Sequence, residues 1–282
     1  MPFDLSIVGK PTAPASFSYT WKDTVLYALG IGARKDELDY LYEGRGPKVY
    51  PSFAVVPMFG PMLEVIAKSG ADLSMIVHGG EKVLIKKQFA PSATLHTTAT
   101  VRGIYDMRRF GTILVDTETK DDSGEVVSTS TASIIVRDVG GFGGNPPPKE
   151  RSGIDVPKDR PADFCIEETT SPEQALLYRL SGDLNPLHAD PAFAKMVGFE
   201  QGPILHGLAT YGHMVRHVAK GACGGDASKI TGFEAQFRKP VWPGDTLVTE
   251  GWTVAPGQIA LSIVVKERNE KVITGAWATV SE

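Results

Sequence analysis

The chain has 282 residues, 42% hydrophobic and 22% charged, a composition that suits an ordinary folded protein and excludes disordered and fibrous classes. A formal charge of -4 and a pI near 5.9 give no general attraction for nucleic acid or an anionic membrane, so neither is expected as a partner. Two cysteines, Cys165 and Cys223, far apart and without a CxxC spacing, argue against a disulfide framework or zinc site and fit a reducing compartment.

The first residues, MPFDLSIVGKPTAP, lack a basic start followed by an apolar run, and no apolar stretch reaches the roughly 18 residues that span a bilayer. A cytoplasmic protein is expected. The final residues, ATVSE, are not an SKL-type address, and a peroxisomal location follows only if the chain is part of a larger multifunctional protein.

Thr20-Trp21-Lys22-Asp23 reads as a capped helix start, with Val25, Leu26 and Leu29 as the apolar face of a helix near residues 21–29. Ala54 to Ser69 is apolar, but Pro57, Gly60 and Pro61 predict a short helix only from about Pro61 onward. From Glu81 to Val136 the segments KVLIKKQFA, ATLHTTATVRGIYDMR, GTILVDTETKD and VVSTSTASIIVRD are rich in Val, Ile and Thr, which predicts an antiparallel meander. The Gly- and Pro-rich run GGFGGNPPPKERSGIDVPKDR then reads as a linker.

A similar order of elements follows. Phe164 to Glu167 suits a strand, Ser171-Pro172-Glu173-Gln174 a helix start, and Asp190-Pro191 the cap of a short helix that Gly198 ends. Leu208, Tyr211, Val215 and Val218 recur at helical spacing before Gly221, and four strands are expected near 230–239, 246–254, 259–267 and 272–280. The two halves superimpose as sequences. LIKKQFAPSATL aligns with QFRKPVWPGDTL without a gap, placing Lys87 on Lys239, Pro91 on Pro243 and Leu95 on Leu247, while Tyr27 falls on Tyr178. The chain is therefore read as a duplication: residues 1–145 a first, non-catalytic repeat, 146–162 a linker, and 163–282 the second repeat. At the matching positions the first copy has Gly32 for Asp183 and Glu37 for His188, so chemistry is expected in the second copy alone.

Asp183 and His188 lie five residues apart across Asn185-Pro186, and proline bars continuous helix between them. A curled loop would join the two side chains, the carboxylate orienting the imidazole and a water between them becoming a nucleophile. The plainer reading makes Asp183 a loop cap and His188 a core residue. Asn185 either positions substrate or braces the loop. His206-Gly207 opens the following helix, where glycine allows close approach to the backbone and free N–H groups stabilise negative charge, unless Gly207 serves helix packing alone.

His78 and Gly79, in VHGGEK, are candidates for lining a pocket from the first half or, more plainly, turn residues. His213 and His217 have i, i+4 spacing but no acidic or cysteine partner nearby in sequence, so they read as helix-surface or packing residues and no metal is expected. Arg238 and Lys239 read as a solvated strand end, with phosphate binding as the alternative.

YRLSGDLNPLHADPAFA, from Tyr178 to Ala194, with GPILHGLATYG after it, closely resembles the signature of the (R)-specific enoyl-CoA hydratases, the hydratase 2 or MaoC-like dehydratase family. VHGGEK, GGFGG and the two halves together resemble its two-repeat form, as in the hydratase part of peroxisomal multifunctional enzyme type 2. The resemblance implies an α+β double hotdog fold, two repeats each with a long central helix wrapped by an antiparallel sheet. It implies that Asp183 and His188 activate water for addition to a trans-2-enoyl-CoA, giving an (R)-3-hydroxyacyl-CoA, with Asn185 in support and the Gly207 N–H on the thioester oxygen. His206, His78, Gly79, Arg238 and Lys239 become candidate substrate or CoA ligands. No cofactor is implied, coenzyme A being part of the substrate, and the partners expected are the acyl-CoA thioester and a second copy of the chain. A first-half helix broken at Pro57, Gly60 and Pro61 would make room for bulky acyl chains. The alternatives are a hotdog acyl-CoA thioesterase and a non-catalytic acyl-CoA-binding subunit.

Overall fold

Burial alternates along the long strands, as it must where one face of a sheet packs and the other is solvated. The computed structural model describes residues 3–148 and 154–281, so the expected linker at 146–162 lies partly outside the described residues. The chain gathers into two units that interleave in sequence. Unit 1 comprises Met1–Ser18, Pro57–Lys87 and Thr94–Ser152, and unit 2 comprises Tyr19–Val56, Gln88–Ala93 and Gly153–Glu282. Residues 19–56, which follow the first-repeat pattern in sequence, thus fold with the second unit.

In unit 1 the strands are β1 (Ala15–Tyr19), β2 (Ile76–Ile85), β3 (Ala93–Asp106), β4 (Phe110–Asp121) and β5 (Val126–Arg137), in the order β1-β3-β4-β5-β2. In unit 2 they are β6 (Phe164–Thr169), β7 (Ile230–Phe237), β8 (Thr246–Ala255), β9 (Gln258–Val265) and β10 (Glu270–Val280), in the order β6-β8-β9-β10-β7. The second order is the first with each strand replaced by its counterpart, so the duplication read from sequence is present in the topology. β2 begins earlier than expected. His78 and Gly79 lie within the strand rather than in a turn, where a register irregularity between His78 and Gly80 absorbs the two glycines.

The helices are α1 (Trp21–Gly30), α2 (Leu38–Leu41), α3 (Val55–Lys68), α4 (Gln174–Tyr178), α5 (Pro191–Met196) and α6 (Gly207–Ala222). The Asp23 carboxylate accepts from the Thr20 N–H at 2.8 Å and from its hydroxyl at 2.9 Å, closing the expected start of α1. α3 corrects the sequence reading, for it is continuous from Val55 and holds Pro61 inside. Pro57 falls in the first turn, where its missing N–H costs nothing, and Met58, Met62, Val65 and Ile66 form a buried stripe whose packing outweighs the bond lost at Pro61. The broken helix that was to make room for bulky acyl chains is therefore absent.

α6 runs against β6, β7 and β8 of unit 2 and is buried over Leu208–Ala219. Arg216, fully buried on it, donates from Nε to the Ile31 carbonyl at 3.1 Å and from Nη2 to the Gly32 carbonyl at 2.6 Å. Its guanidinium also pairs with Glu168 and, at 3.3 Å, with Glu37. Glu37 in turn accepts from the Tyr50 hydroxyl at 2.6 Å and meets Lys220 at 2.9 Å.

Gly212 lets α6 approach the end of α1. A Cβ there would stand 2.2 Å from Ile31 Cγ2 and 3.2 Å from the Tyr27 hydroxyl. In an ordinary helix interior Gly→Ala stabilises by about 1 kcal/mol. Gly212→Ala is expected instead to destabilise by about 1–3 kcal/mol through overpacking, measured by thermal or denaturant unfolding.

Candidate active site

Local turn chemistry brings Asp183 and His188 together. After α4 a 3₁₀ turn spans Arg179–Ser181, and Gly182, at φ 129°, redirects the chain in a conformation that side-chain-bearing residues rarely adopt. Asp183 Oδ1 accepts from the Asn185 N–H at 3.2 Å, and Asn185 Oδ1 accepts from the Leu187 N–H at 3.0 Å. Pro186 then opens a second 3₁₀ turn, Pro186–His188, at the position where its missing donor is harmless. The result sets Asp183 Oδ2 3.9 Å from His188 Nε2. Asn185 is exposed and committed to the backbone of its own turn, so of its two expected roles the geometry supports bracing the loop.

His188 is buried, and its Nδ1 lies 2.8 Å from the Ile204 carbonyl oxygen. A carbonyl only accepts, so Nδ1 carries the hydrogen and Nε2 presents a lone pair toward Asp183. Burial holds the imidazole pKa below its ordinary value and the charge of Arg179 adds to this, while Asp183 and the Ile204 carbonyl oppose it. A neutral imidazole and a carboxylate are both acceptors and cannot bond each other. At 3.9 Å they are close enough for one water, at an ordinary length of about 2.8 Å to each, to donate to both. Such a water is polarised from two sides, with Nε2 placed to take its proton.

His206 caps the start of α6. Its ring stacks on His188 with centroids 3.6 Å apart, leans on Tyr178 at 4.8 Å, and donates from Nε2 to the Asp183 carbonyl at 3.1 Å. Burial, then the charges of His188 and Arg179, press its pKa down to about 2. It was expected as a substrate or CoA ligand, but at 1% exposure it is an inward brace for the Asp183–His188 turn. Gly207 follows as the first residue of α6, where helix geometry provides no acceptor for its N–H, and among the described residues no other acceptor engages it. A Cβ at Gly207 would meet the Phe237 ring at an ordinary 3.5 Å, so helix packing alone does not demand glycine here. A free N–H at the positive end of a 16-residue helix, one residue from an imidazole stacked on His188, suits a developing oxyanion.

The other candidates are held by contacts of their own. Arg238 donates from Nε to Thr274 Oγ1 at 2.7 Å and also to Gln236, and Lys239 stands 3.7 Å from Glu270, so both are engaged within their own sheet. His78 belongs to unit 1, its Nε2 2.9 Å from the buried Glu81, and a Cβ at Gly79 would crowd Ile135 at 2.9 Å. His213 and His217 are fully buried, not on the helix surface, and the acidic partner missing from their neighbourhood in sequence is Glu168 on β6. Sequence reasoning overlooked Arg179, whose signal is its place inside the motif, and Ile204, which acts through a carbonyl and has none.

Residues 155–276 match the family model described as MaoC like domain, and residues 17–138 match the one described as MFE-2 hydratase 2 N-terminal domain. The chain is 34% identical over 279 residues to the peroxisomal enoyl-CoA hydratase 2 of Arabidopsis thaliana, which covers 92% of this chain and 89% of that protein. A crystal structure described as a MaoC-like dehydratase from Phytophthora capsici superimposes with a TM-score of 0.88 and 31% identity, over 99% of this chain and 98% of that one. A Mycobacterium tuberculosis protein described as having a double hotdog fold aligns with a TM-score of 0.59 over 96% of this chain and 95% of that one, and at 13% identity that likeness concerns the fold alone. The fold is the α+β double hotdog.

With its folded-state pKa depressed, His188 stays neutral until the pH falls below the ordinary imidazole value of about 6.5. NMR titration of its ring protons should give a midpoint below that value, and turnover that uses it as a base should hold through pH 6.5 and fall only at lower pH. A midpoint above 6.5 contradicts this account of the site.

Proposed function

Because this chain belongs to the MaoC-like dehydratase family, with a hydratase 2 N-terminal domain preceding the MaoC-like domain, we propose that it is an (R)-specific enoyl-CoA hydratase, a hydro-lyase acting on acyl-CoA thioesters. The observation that carries the chemistry is the Asp183 Oδ2 to His188 Nε2 separation of 3.9 Å beside the open N–H of Gly207.

In the proposed reaction a water held between Asp183 and His188 loses a proton to Nε2 as its oxygen bonds to the β-carbon of a trans-2-enoyl-CoA. The electron pair moves through the α-carbon onto the thioester oxygen, where the Gly207 N–H and the α6 dipole stabilise it. Return of that proton to the α-carbon completes an addition in which water supplies both the hydroxyl and the hydrogen. The addition is redox-neutral and reversible, with coenzyme A as part of the substrate, and in this proposal no cofactor takes part.

The single Asp/His turn supports one active site per chain, with residues 1–145 as a non-catalytic repeat, 146–162 as linker and 163–282 as the catalytic repeat. No described helix is long and apolar enough to cross a membrane. A cytoplasmic homodimer completes the reading, resting on the two unpaired cysteines, which fit a reducing compartment, and on the exposed strand edges typical of such sheets.

Asp183→Asn and His188→Ala should each lower kcat by about 100- to 10,000-fold, the usual contribution of an acid/base group. The readout is loss of the conjugated enoyl absorbance of trans-2-enoyl-CoA thioesters, with a thiol reagent following free CoA in parallel. Binding of a saturated acyl-CoA should persist in both variants. CoA release without loss of enoyl absorbance, or unchanged hydration in both variants, overturns the proposal.

A further inference from the structure

Unit 2 holds a second cluster that the proposed reaction does not use. His213 and His217 lie about one turn apart on α6 and face Glu168 on β6, with Glu168 Oε1 3.3 Å from His213 Nδ1 and Oε2 3.9 Å from His217 Nε2. Both rings are fully buried. His217 Nδ1 is engaged at 2.8 Å with the Thr249 hydroxyl, while His217 Nε2 and His213 Nδ1 have only the poorly aligned Glu168 carboxylate near them and His213 Nε2 has no hydrogen-bond partner. Interiors rarely leave buried imidazole nitrogens without a well-aligned partner. Burial holds both imidazoles below their ordinary pKa, so each presents a lone pair instead of a second proton.

We propose that Glu168, His213 and His217 form a binding site for a divalent transition-metal ion of the zinc class. One ligand atom from each residue lies within 4.8 Å of the others. Donors about 2.0–2.1 Å from a tetrahedral ion stand roughly 3.4 Å apart, so ligand atoms that now lie within 4.8 Å of one another must draw together by up to about 1.4 Å. Two imidazoles with one carboxylate favour zinc, cobalt or nickel over calcium or magnesium, which prefer all-oxygen sites. The Thr249 bond fixes the His217 ring and leaves Nε2 to bind, the usual outer support of a metal-binding histidine.

Arg216 is the opposing influence. Its charge lies beside the half-buried Glu168 carboxylate and repels a cation, and the Glu37 carboxylate that offsets it is shared with Lys220. Affinity is therefore expected to fall below that of the closed zinc sites that fold small domains. Gly32 packs directly against the cluster, for a Cβ there would stand 2.2 Å from His213 Cε1 and 2.7 Å from Glu168 Oε1. Gly32 is the residue that replaces Asp183 in the first sequence copy, so the position vacated by the acid borders this cluster.

The test uses the full chain, treated with chelator and then titrated with Co²⁺. About one Co²⁺ per chain should bind with the visible ligand-field absorption of a low-symmetry nitrogen and oxygen site, and both Co²⁺ and Zn²⁺ should raise Tm, as any ligand selective for the folded state must. His217→Asn keeps a polar group at the Nδ1 position for Thr249 but removes Nε2. With its circular dichroism intact it should lose the absorption and the Tm response, while His78→Ala retains both. No absorption and no Tm response in the folded, chelator-treated protein overturns the proposal, as does a His217→Asn variant that binds Co²⁺ as the unaltered chain does. Hydration is assayed separately, so failure of the metal site leaves the Asp183–His188 reading untouched.

Discussion

Arg216 brings a permanent charge into the interior of unit 2, where an isolated ion would be prohibitively costly, and the surroundings are arranged to answer it. The carbonyls of Ile31 and Gly32 take two of its N–H groups, and Glu37 and Glu168 supply the counter-charge. Those partners come from the loop after α1 and from β6, segments more than 130 residues apart, and both are thereby held against α6. The same helix carries the open N–H of Gly207 at its start. The direction of α6, and with it the aim of that N–H, follows from the constraint set about two and a half turns further along.

At the start of α6 the requirement is accuracy. Asp183 and His188 perform acid/base work only if the imidazole presents Nε2, and the Ile204 carbonyl settles that by claiming the Nδ1 hydrogen. His206 links the Asp183–His188 turn to the helix, stacking on one member of the pair and bonding to the backbone of the other. It also places α6 and the turn in fixed register, so the group that would activate water and the group that would hold the oxyanion are positioned by one contact. In the first sequence copy Gly32 and Glu37 stand at the matching places, and Glu37 serves the Arg216 network instead.

Much of this was legible in the sequence because it rests on local pattern. The alternating strands, the Thr20 cap and the Pro186 turn depend on neighbours within a few residues, and the duplication was visible as a gapless match that the strand orders reproduce. Where sequence reasoning failed, a distant partner had overruled a local preference. Pro61 ordinarily breaks a helix, yet the buried stripe of Met58, Met62, Val65 and Ile66 carries α3 through it. His78 and Gly79 look like a turn but lie in β2, paired with β5 some 55 residues away. His213 and His217 seemed to lack an acidic partner because Glu168 is 45 residues earlier on β6. Ile204 could not be foreseen at all, since its role belongs to the main chain.

The central claim is that one Asp/His turn adds water to a single face of an enoyl thioester. The most direct measurement is isotopic and chiral analysis of product made from trans-2-enoyl-CoA in solvent enriched in both oxygen-18 and deuterium. The account predicts an (R)-3-hydroxyacyl-CoA with solvent oxygen at the β-carbon and one solvent deuteron at the α-carbon. An (S) or racemic product, or solvent oxygen found only in the carboxylate of a released acid, would contradict it.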